Sequence, residues 1–156
     1  MKDSEQSVLI RAEMLERSQW ASEFTWKEIE NIARYVAIAR IAPGTTIFKE
    51  GTVGERMCIL VEGSVNVVKV DAHGLHKVLT TITKGKAFGE MTLFDGEPRS
   101  ASVLAAVPTT MLVLTRDNLE QLLDNHPRLG TKLLLKLGKV ISQRLRMTTG
   151  QLVNLI

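Results

Sequence analysis

Two short motifs in the middle of the chain carry residue types that suit the binding of a phosphorylated sugar. FGEMTL occupies positions 88–93, and RSA follows at positions 99–101 after a gap of five residues. A carboxylate such as Glu90 accepts a hydrogen bond from a sugar hydroxyl, whereas a guanidinium such as Arg99 grips two phosphate oxygens at once. Backbone N–H groups around Gly89 add a concave site for negative charge. The ordered combination predicts a ligand that holds a sugar hydroxyl and a phosphate close together.

Length and composition fit one domain with a proper core. The chain has 156 residues, of which 44% are hydrophobic and 24% are charged, as in ordinary globular proteins. A net charge of +3 is too small to indicate nucleic-acid binding, and we predict none from this chain. The single cysteine, Cys58, lies in an apolar run and is predicted to be a buried structural thiol. With no spanning segment and no signal-peptide core, we expect a cytoplasmic protein without membrane contact.

Helical patterns occupy both ends of the chain. Residues 8–22 mix apolar and charged types, and Thr25 is a candidate N-cap because Glu28 follows three positions on. The spacing of the apolar residues from Ile29 to Val36 predicts that this second helix continues through Val36. At the other end, a short helix is predicted over 117–125, and a longer helix follows from 127.

The region between these helices has a residue pattern typical of β-sheet proteins. Six short β-rich runs alternate with turn signals, at 45–48, 57–61, 65–70, 77–82, 102–107 and 110–114. Such a pattern predicts an antiparallel jelly-roll barrel, so the fold class is α+β with flanking helices. We divide the chain into an N-terminal helical extension (1–23), a barrel (24–126) and a C-terminal lid or dimerisation helix (127–156).

The C-terminal helix carries a heptad seam. Its positions step alternately by four and three residues and comprise Leu134, Gly138, Ile141, Leu145, Thr148, Leu152 and Leu155. The seam predicts pairing with a second copy to form a homodimer, and the alternative is a helix that packs only on its own barrel. Gly138 and Gly150 each weaken the helix by roughly 1 kcal/mol, so its last turns are expected to need a ligand or partner.

Taken together, these motifs resemble the cyclic nucleotide-binding domain family, in particular its catabolite-activator-type regulatory domains. The resemblance rests on FGEMTL with PRSASV at 98–103, which match the family's phosphate-binding cassette. The turn glycines Gly44, Gly51, Gly54 and Gly63 occur in the family's order, and RLRMTT at 144–149 resembles the matching helix segment. The resemblance to the family covers nearly the whole chain from about Phe24.

The resemblance implies a role for each residue of the cassette. Glu90 would accept the ribose 2′-hydroxyl, while Gly89 and Met91 shape the cassette backbone. Arg99 would pair with the cyclic phosphate, helped by the hydroxyl and backbone amide of Ser100. The alternative for the arginine is an ordinary ion pair with a nearby carboxylate.

Further ligand contacts are implied outside the cassette. Val67 and Leu79 would line the base and sugar from inward strand faces. Thr148 and Thr149 diverge by about 100° on a helix, so one would reach the purine in its own barrel and the other would cross the dimer seam. A threonine hydroxyl suits the exocyclic amine of adenine, which favours cAMP over cGMP. The alternative is that both hydroxyls bond only their own preceding carbonyls.

The implied function is a non-enzymatic cyclic nucleotide sensor that reports through the C-terminal helix to an unknown effector or a missing output domain. Alternatives are the ligand-binding fragment of a transcription regulator and a nucleotide-free dimerisation module. No metal or further cofactor is expected, because the loose spacing of His73 and His76 does not build a metal site. Two points stay open: Thr92 replaces a smaller family residue and is expected to crowd the sugar, and Arg144 either braces Glu90 or lies in solvent.

Overall fold

A computed structural model describes residues 4–154 of the chain, with side chains as far as residue 150. That range forms five helices and eight strands. In chain order they are α1 Glu5–Ser18, α2 Trp26–Ala33, β1 Ala37–Ile41, β2 Thr46–Phe48, β3 Arg56–Glu62, β4 Ser64–Val70, β5 His76–Thr83, β6 Ala87–Phe88, α3 Met91–Asp95, β7 Ser102–Ala105, β8 Thr109–Thr115, α4 Arg116–Asn125 and α5 Pro127–Asn154. No helix within 4–154 combines the length and apolarity that crossing a membrane requires.

The strands form two four-stranded antiparallel sheets. One has the order β1-β8-β3-β6 and the other the order β2-β7-β4-β5. This arrangement confirms the predicted jelly roll with flanking helices, although the two sheets do not close into a continuous barrel. Strand β5 lies at the edge of the second sheet, pairs with β4 and is largely exposed.

Alternation along β3 explains how the first sheet is buried on both faces. Met57, Ile59 and Val61 join a core cluster that the helices share. Cys58 and Leu60 point the other way, into a second cluster between the two sheets. Cys58 is buried, as predicted, and burial raises the pKa of its thiol to about 12.

The predicted N-cap of α2 is present as a full capping box. Thr25 Oγ1 accepts from the Glu28 backbone N–H at 3.2 Å, and Glu28 Oε1 accepts from the Thr25 N–H at 2.9 Å. The prediction that this helix continues through Val36 is wrong, because α2 ends at Ala33. Val36 is nevertheless buried, as the helical spacing required, but it lies just before β1.

Three elements were not predicted from the sequence. Strand β1 pairs with β8 from Ala37↔Val113 to Ile41↔Thr109. Strand β6 is two residues long, too short to show a period, and α3 is a helix of five residues. Both short elements flank Gly89, so tertiary contacts rather than local pattern decide the structure there.

The two halves of α5 differ in how they are held. Leu129, Leu133 and Leu137 are buried in the helical core cluster together with residues of α1 and α2. Between residues 138 and 150 no side chain is buried. The outer half of α5 therefore extends past the core.

Candidate functional site

The site begins at a glycine turn between β6 and α3. Gly89 has φ +81°, and a Cβ there would lie 2.6 Å from Phe48 Cε2 and 2.8 Å from an Arg99 terminal nitrogen. Glycine is therefore required by both the backbone conformation and the close approach of side chains. The Thr92 hydroxyl donates to the Gly89 carbonyl at 3.0 Å, which fixes the turn from its own helix.

Arg99 is held beside this turn by two backbone hydrogen bonds and a ring contact. Its side chain donates to the Gly89 carbonyl at 3.0 Å and to the Arg56 carbonyl at 2.7 Å, and its guanidinium carbon lies 3.6 Å from the centre of the Phe48 ring. These contacts use two of five N–H donors and leave three for a ligand. Burial lowers the pKa of Arg99 below its ordinary value, and within residues 4–154 the guanidinium forms no carboxylate ion pair. The arrangement suits a preorganised phosphate site.

Glu90 presents one unsatisfied oxygen. The residue is 1% exposed, and its Oε1 accepts a hydrogen bond from Arg144, which also donates to the Ala87 carbonyl. Oε2 is buried and has no hydrogen-bond partner among the described residues. An unmatched buried acceptor costs about 1–3 kcal/mol, which a hydroxyl donor from a ligand would recover.

A cleft of about 770 Å³ connects these groups, a volume typical of small-molecule sites. Eight of the nine residues predicted to bind the ligand line it, namely Val67, Leu79, Gly89, Glu90, Met91, Arg99, Ser100 and Thr148. The structure therefore brings the cassette together with β4, β5 and α5. The remaining predicted residue, Thr149, does not line this cleft.

The two threonines differ in position but share one hydrogen-bond pattern. Thr148 Oγ1 donates to the Arg144 carbonyl and Thr149 Oγ1 to the Leu145 carbonyl, each at 3.0 Å. Each hydroxyl therefore makes the local helix bond that the alternative reading expects. Because that bond uses the only proton, the Thr148 oxygen can act toward the cleft only as an acceptor.

Several cleft residues were not among the predicted ligand contacts. Phe48, Lys86, Arg144 and Met147 all line the cleft. Phe48 comes from β2, far from the cassette in sequence, and no local signal points to it. Arg144 sits four residues before Thr148, so helical periodicity placed it on the correct face, and its contact with Glu90 resolves the point left open above. Within the described range, no group of three His, Cys, Asp or Glu side chains is arranged to hold a metal.

Comparison with known proteins identifies the family. The sequence model of the cyclic nucleotide-binding domain family matches residues 38–126 of this chain. A CRP-like cAMP-activated global transcriptional regulator of Mycobacterium tuberculosis is 31% identical over 113 residues, which are 72% of this chain and 49% of that protein. A cyclic nucleotide-gated potassium channel of Rhizobium etli is 38% identical over 92 residues, 58% of this chain and 24% of the channel. The chain thus spans about half the length of the regulator and a smaller part of the channel.

A solved structure extends the similarity over the whole fold. The crystal structure of a cyclic nucleotide-binding domain from Methylobacillus flagellatus KT superimposes with a TM-score of 0.82 at 28% identity, covering 100% of this chain and 88% of that one. The matching segment includes both the glycine turn and Arg99. This chain belongs to the cyclic nucleotide-binding domain family.

Proposed function

We propose that the chain is a cAMP sensor whose ribose and phosphate contacts are Glu90 and Arg99. The observation that carries the proposal is the buried Oε2 of Glu90, which lacks a partner among the described residues, on a residue that lines the same cleft as Arg99. A ribose 2′-hydroxyl supplies the missing donor. The N–H groups of Arg99 that make no backbone hydrogen bond then donate to the cyclic phosphate, with the exposed Ser100 beside it.

The position and hydrogen bonding of Thr148 favour binding of adenine over guanine. Its oxygen acts toward the cleft as an acceptor, since its proton is used by the Arg144 carbonyl. At the six position adenine presents an amine donor, whereas guanine presents a carbonyl acceptor. An acceptor in the pocket therefore favours cAMP, and cGMP is the alternative ligand. Thr149 would act only on a second copy, across the seam.

The ligand would act by shifting the population of α5 positions. cAMP would touch the cassette and, through Thr148, the outer half of α5, whose 138–150 segment has no buried side chain. A ligand that contacts both elements favours the docked helix by its differential contacts with the two states. The docked helix would then present the seam, in which Leu145 is 66% exposed, to a second copy or an effector.

The named relatives support a sensor rather than a catalyst. A cAMP-activated transcriptional regulator and a cyclic nucleotide-gated potassium channel share this domain. Their outputs differ, so the function that the domain has in common is ligand sensing. We therefore propose a non-enzymatic cytoplasmic module that needs no cofactor beyond its nucleotide. Its effector, whether a partner protein or a further domain, would read the position of α5.

Isothermal titration with cAMP, cGMP and a cyclic dinucleotide tests this function. We expect one cAMP per chain, weaker binding of cGMP and no binding of the larger dinucleotide. Sedimentation with and without cAMP should show whether the ligand favours a dimer. Binding of none of the three, or tightest binding of the dinucleotide, would overturn the proposal.

A further inference from the structure

Helix α5 concentrates the positive charge of the chain. Residues 127–156 contain six Lys or Arg and no Asp or Glu, whereas the other 126 residues contain 14 Lys or Arg against 17 Asp or Glu. The modest net charge of the whole chain hides this asymmetry. A charge difference of this kind between two parts of a chain points to an anionic partner for the basic part.

Half of the six cations have partners within the chain. Lys132 pairs with Glu28 at 2.8 Å, Lys136 pairs with Glu23 at 2.7 Å, and Arg144 pairs with Glu90. These ion pairs join α5 to α2, to the turn between α1 and α2, and to the cleft. They account for the charges that face the body of the protein.

The other three cations are aligned on one exposed face. Arg128, Lys139 and Arg146 are exposed, and none forms an ion pair with a residue in 4–154. Their intervals of 11 and 7 residues are close to three and two full turns at about 3.6 residues per turn, so they form a row about 27 Å long. Leu135, 70% exposed, lies on the same side between the first two. We call these four residues the cationic face.

This face is separate from the two surfaces of α5 already described. At about 100° per residue, it lies roughly 160° around the helix from Leu133 and Leu137, which pack in the core, and roughly 120° from the seam residues Ile141 and Leu145. A homodimer through the seam therefore leaves the cationic face open. It is available to a different partner.

We infer that the cationic face binds an acidic amphipathic helix of a protein partner. Intervals of 7 and 11 residues are those at which a helix repeats one face, so a helix with acidic residues at the same intervals can pair with all three cations. The exposed Leu135 offers an apolar contact between the first two cations, which a helix with an apolar side chain there would use and a phosphate backbone would not. The net negative charge of the other 126 residues disfavours a long polyanion.

The inference goes beyond the nucleotide sensor and does not depend on it. It assigns the effector side of the molecule a chemistry, namely acidic and helical. Binding at this face requires no residue of the cleft, so it can be measured without a nucleotide. Failure of the cAMP titration and failure of the partner assay are therefore independent results.

The test uses fluorescence anisotropy with labelled alanine-based helical peptides of about 25 residues. The first peptide carries three glutamates at intervals of eleven and seven residues with a leucine between them. The second carries them at intervals of seven and eleven residues. The third is the first peptide with lysines in place of the glutamates. We expect one glutamate order to bind and the lysine peptide not to bind. Reversal of the face by Arg128→Glu, Lys139→Glu and Arg146→Glu is expected to weaken binding at least about tenfold, from three exposed pairs turned repulsive.

The matched control reverses three exposed cations elsewhere, Lys27→Glu, Arg40→Glu and Lys77→Glu, and gives the same net charge. This variant is expected to bind the peptide within about twofold of the parent when ionic strength screens long-range effects. Thermal unfolding verifies that both triple variants fold. If the triple reversal of the cationic face does not fold, the milder single variant Lys139→Gln replaces it in the binding assay. Equal losses in the two triple variants, tighter binding of a duplex DNA of similar length, or loss of a homodimer on reversal would overturn the inference.

Discussion

Arg144 on α5 donates a hydrogen bond to Oε1 of Glu90, a residue 54 positions earlier at the start of α3. The same guanidinium donates to the Ala87 carbonyl on β6. A single carboxylate therefore contacts the helix through one oxygen, while its other oxygen, Oε2, is buried and has no hydrogen-bond partner among the described residues. If Glu90 binds the ligand as proposed, helix position and ligand binding would share this group, which would couple them.

Replacement of Arg99 tests the phosphate contact. Arg99→Lys keeps the charge but cannot donate to two phosphate oxygens in one plane, nor reach both the Gly89 and Arg56 carbonyls. We expect cAMP affinity measured by calorimetry to fall about tenfold to a hundredfold. The control is Lys86→Gln, which removes an exposed cleft charge and should cost less than about threefold. Similar losses in both variants would show that the cleft attracts phosphate by general charge and not by geometry.

Base selectivity is expected to depend on Thr148. Thr148→Val preserves shape and removes the acceptor, so the ratio of cAMP to cGMP affinity should fall about fivefold to tenfold. Thr149 does not line the cleft of its own chain, and Thr149→Val should change the ratio only where sedimentation shows a dimer. A ratio unaffected by Thr148→Val would remove this residue from base recognition.

Two glycines of α5 give opposite predictions for stability. A Cβ at Gly138 meets nothing within 4 Å, so Gly138→Ala should raise the free energy of unfolding by about 1 kcal/mol through helix propensity. A Cβ at Gly130 would lie 2.4 Å from the Leu123 side chain and 3.1 Å from its Cα. Gly130→Ala should therefore lower stability by about 1–3 kcal/mol. Thermal denaturation of the pair tests the packing of α5 against α4, and a stabilised Gly130→Ala would contradict it.

The ion pair between Lys132 and Glu28 predicts a pH dependence. The hydrogen bond from Lys132 is the main reason that the pKa of Glu28 lies below 4.5 in the folded state. A carboxylate with a lowered pKa contributes stability above its unfolded pKa, and the contribution is lost as the pH falls through the folded value. Lys132→Gln should therefore destabilise the protein at pH 7, and its deficit should shrink below about pH 4.5. Chemical denaturation at several pH values measures this, with the unpaired Lys139→Gln as control; a constant deficit would argue against the pair.

The sequence predicted the general fold and most of the cleft for identifiable physical reasons. Turn glycines and short β-rich runs predict a jelly roll, and the spacing of Thr25 and Glu28 predicts a capping box that the structure contains. Strand β6 and helix α3 escaped prediction because they are too short to show periodicity. The division at residues 24 and 127 stays a prediction.

Long-range contacts were the harder part. Phe48 lies under the Arg99 guanidinium although they are 51 positions apart in the chain, and no local pattern indicates such a contact. The end of α2 was misplaced because Val36 keeps helical spacing while it already leads into β1. Thr92 was expected to crowd the sugar; its hydroxyl bonds the Gly89 carbonyl, and its effect on affinity stays a prediction.

The most direct measurement of the central claim is a calorimetric cycle with cAMP and 2′-deoxy-cAMP on the parent protein and on Glu90→Gln. If Oε2 of Glu90 accepts the ribose 2′-hydroxyl, the parent should bind 2′-deoxy-cAMP at least about tenfold more weakly than cAMP, as expected for a hydrogen bond to a charged group. Thermal denaturation checks that Glu90→Gln folds. In this variant the ratio of cAMP affinity to 2′-deoxy-cAMP affinity should fall to about threefold or less. An equal penalty for the missing hydroxyl in both proteins would contradict the account.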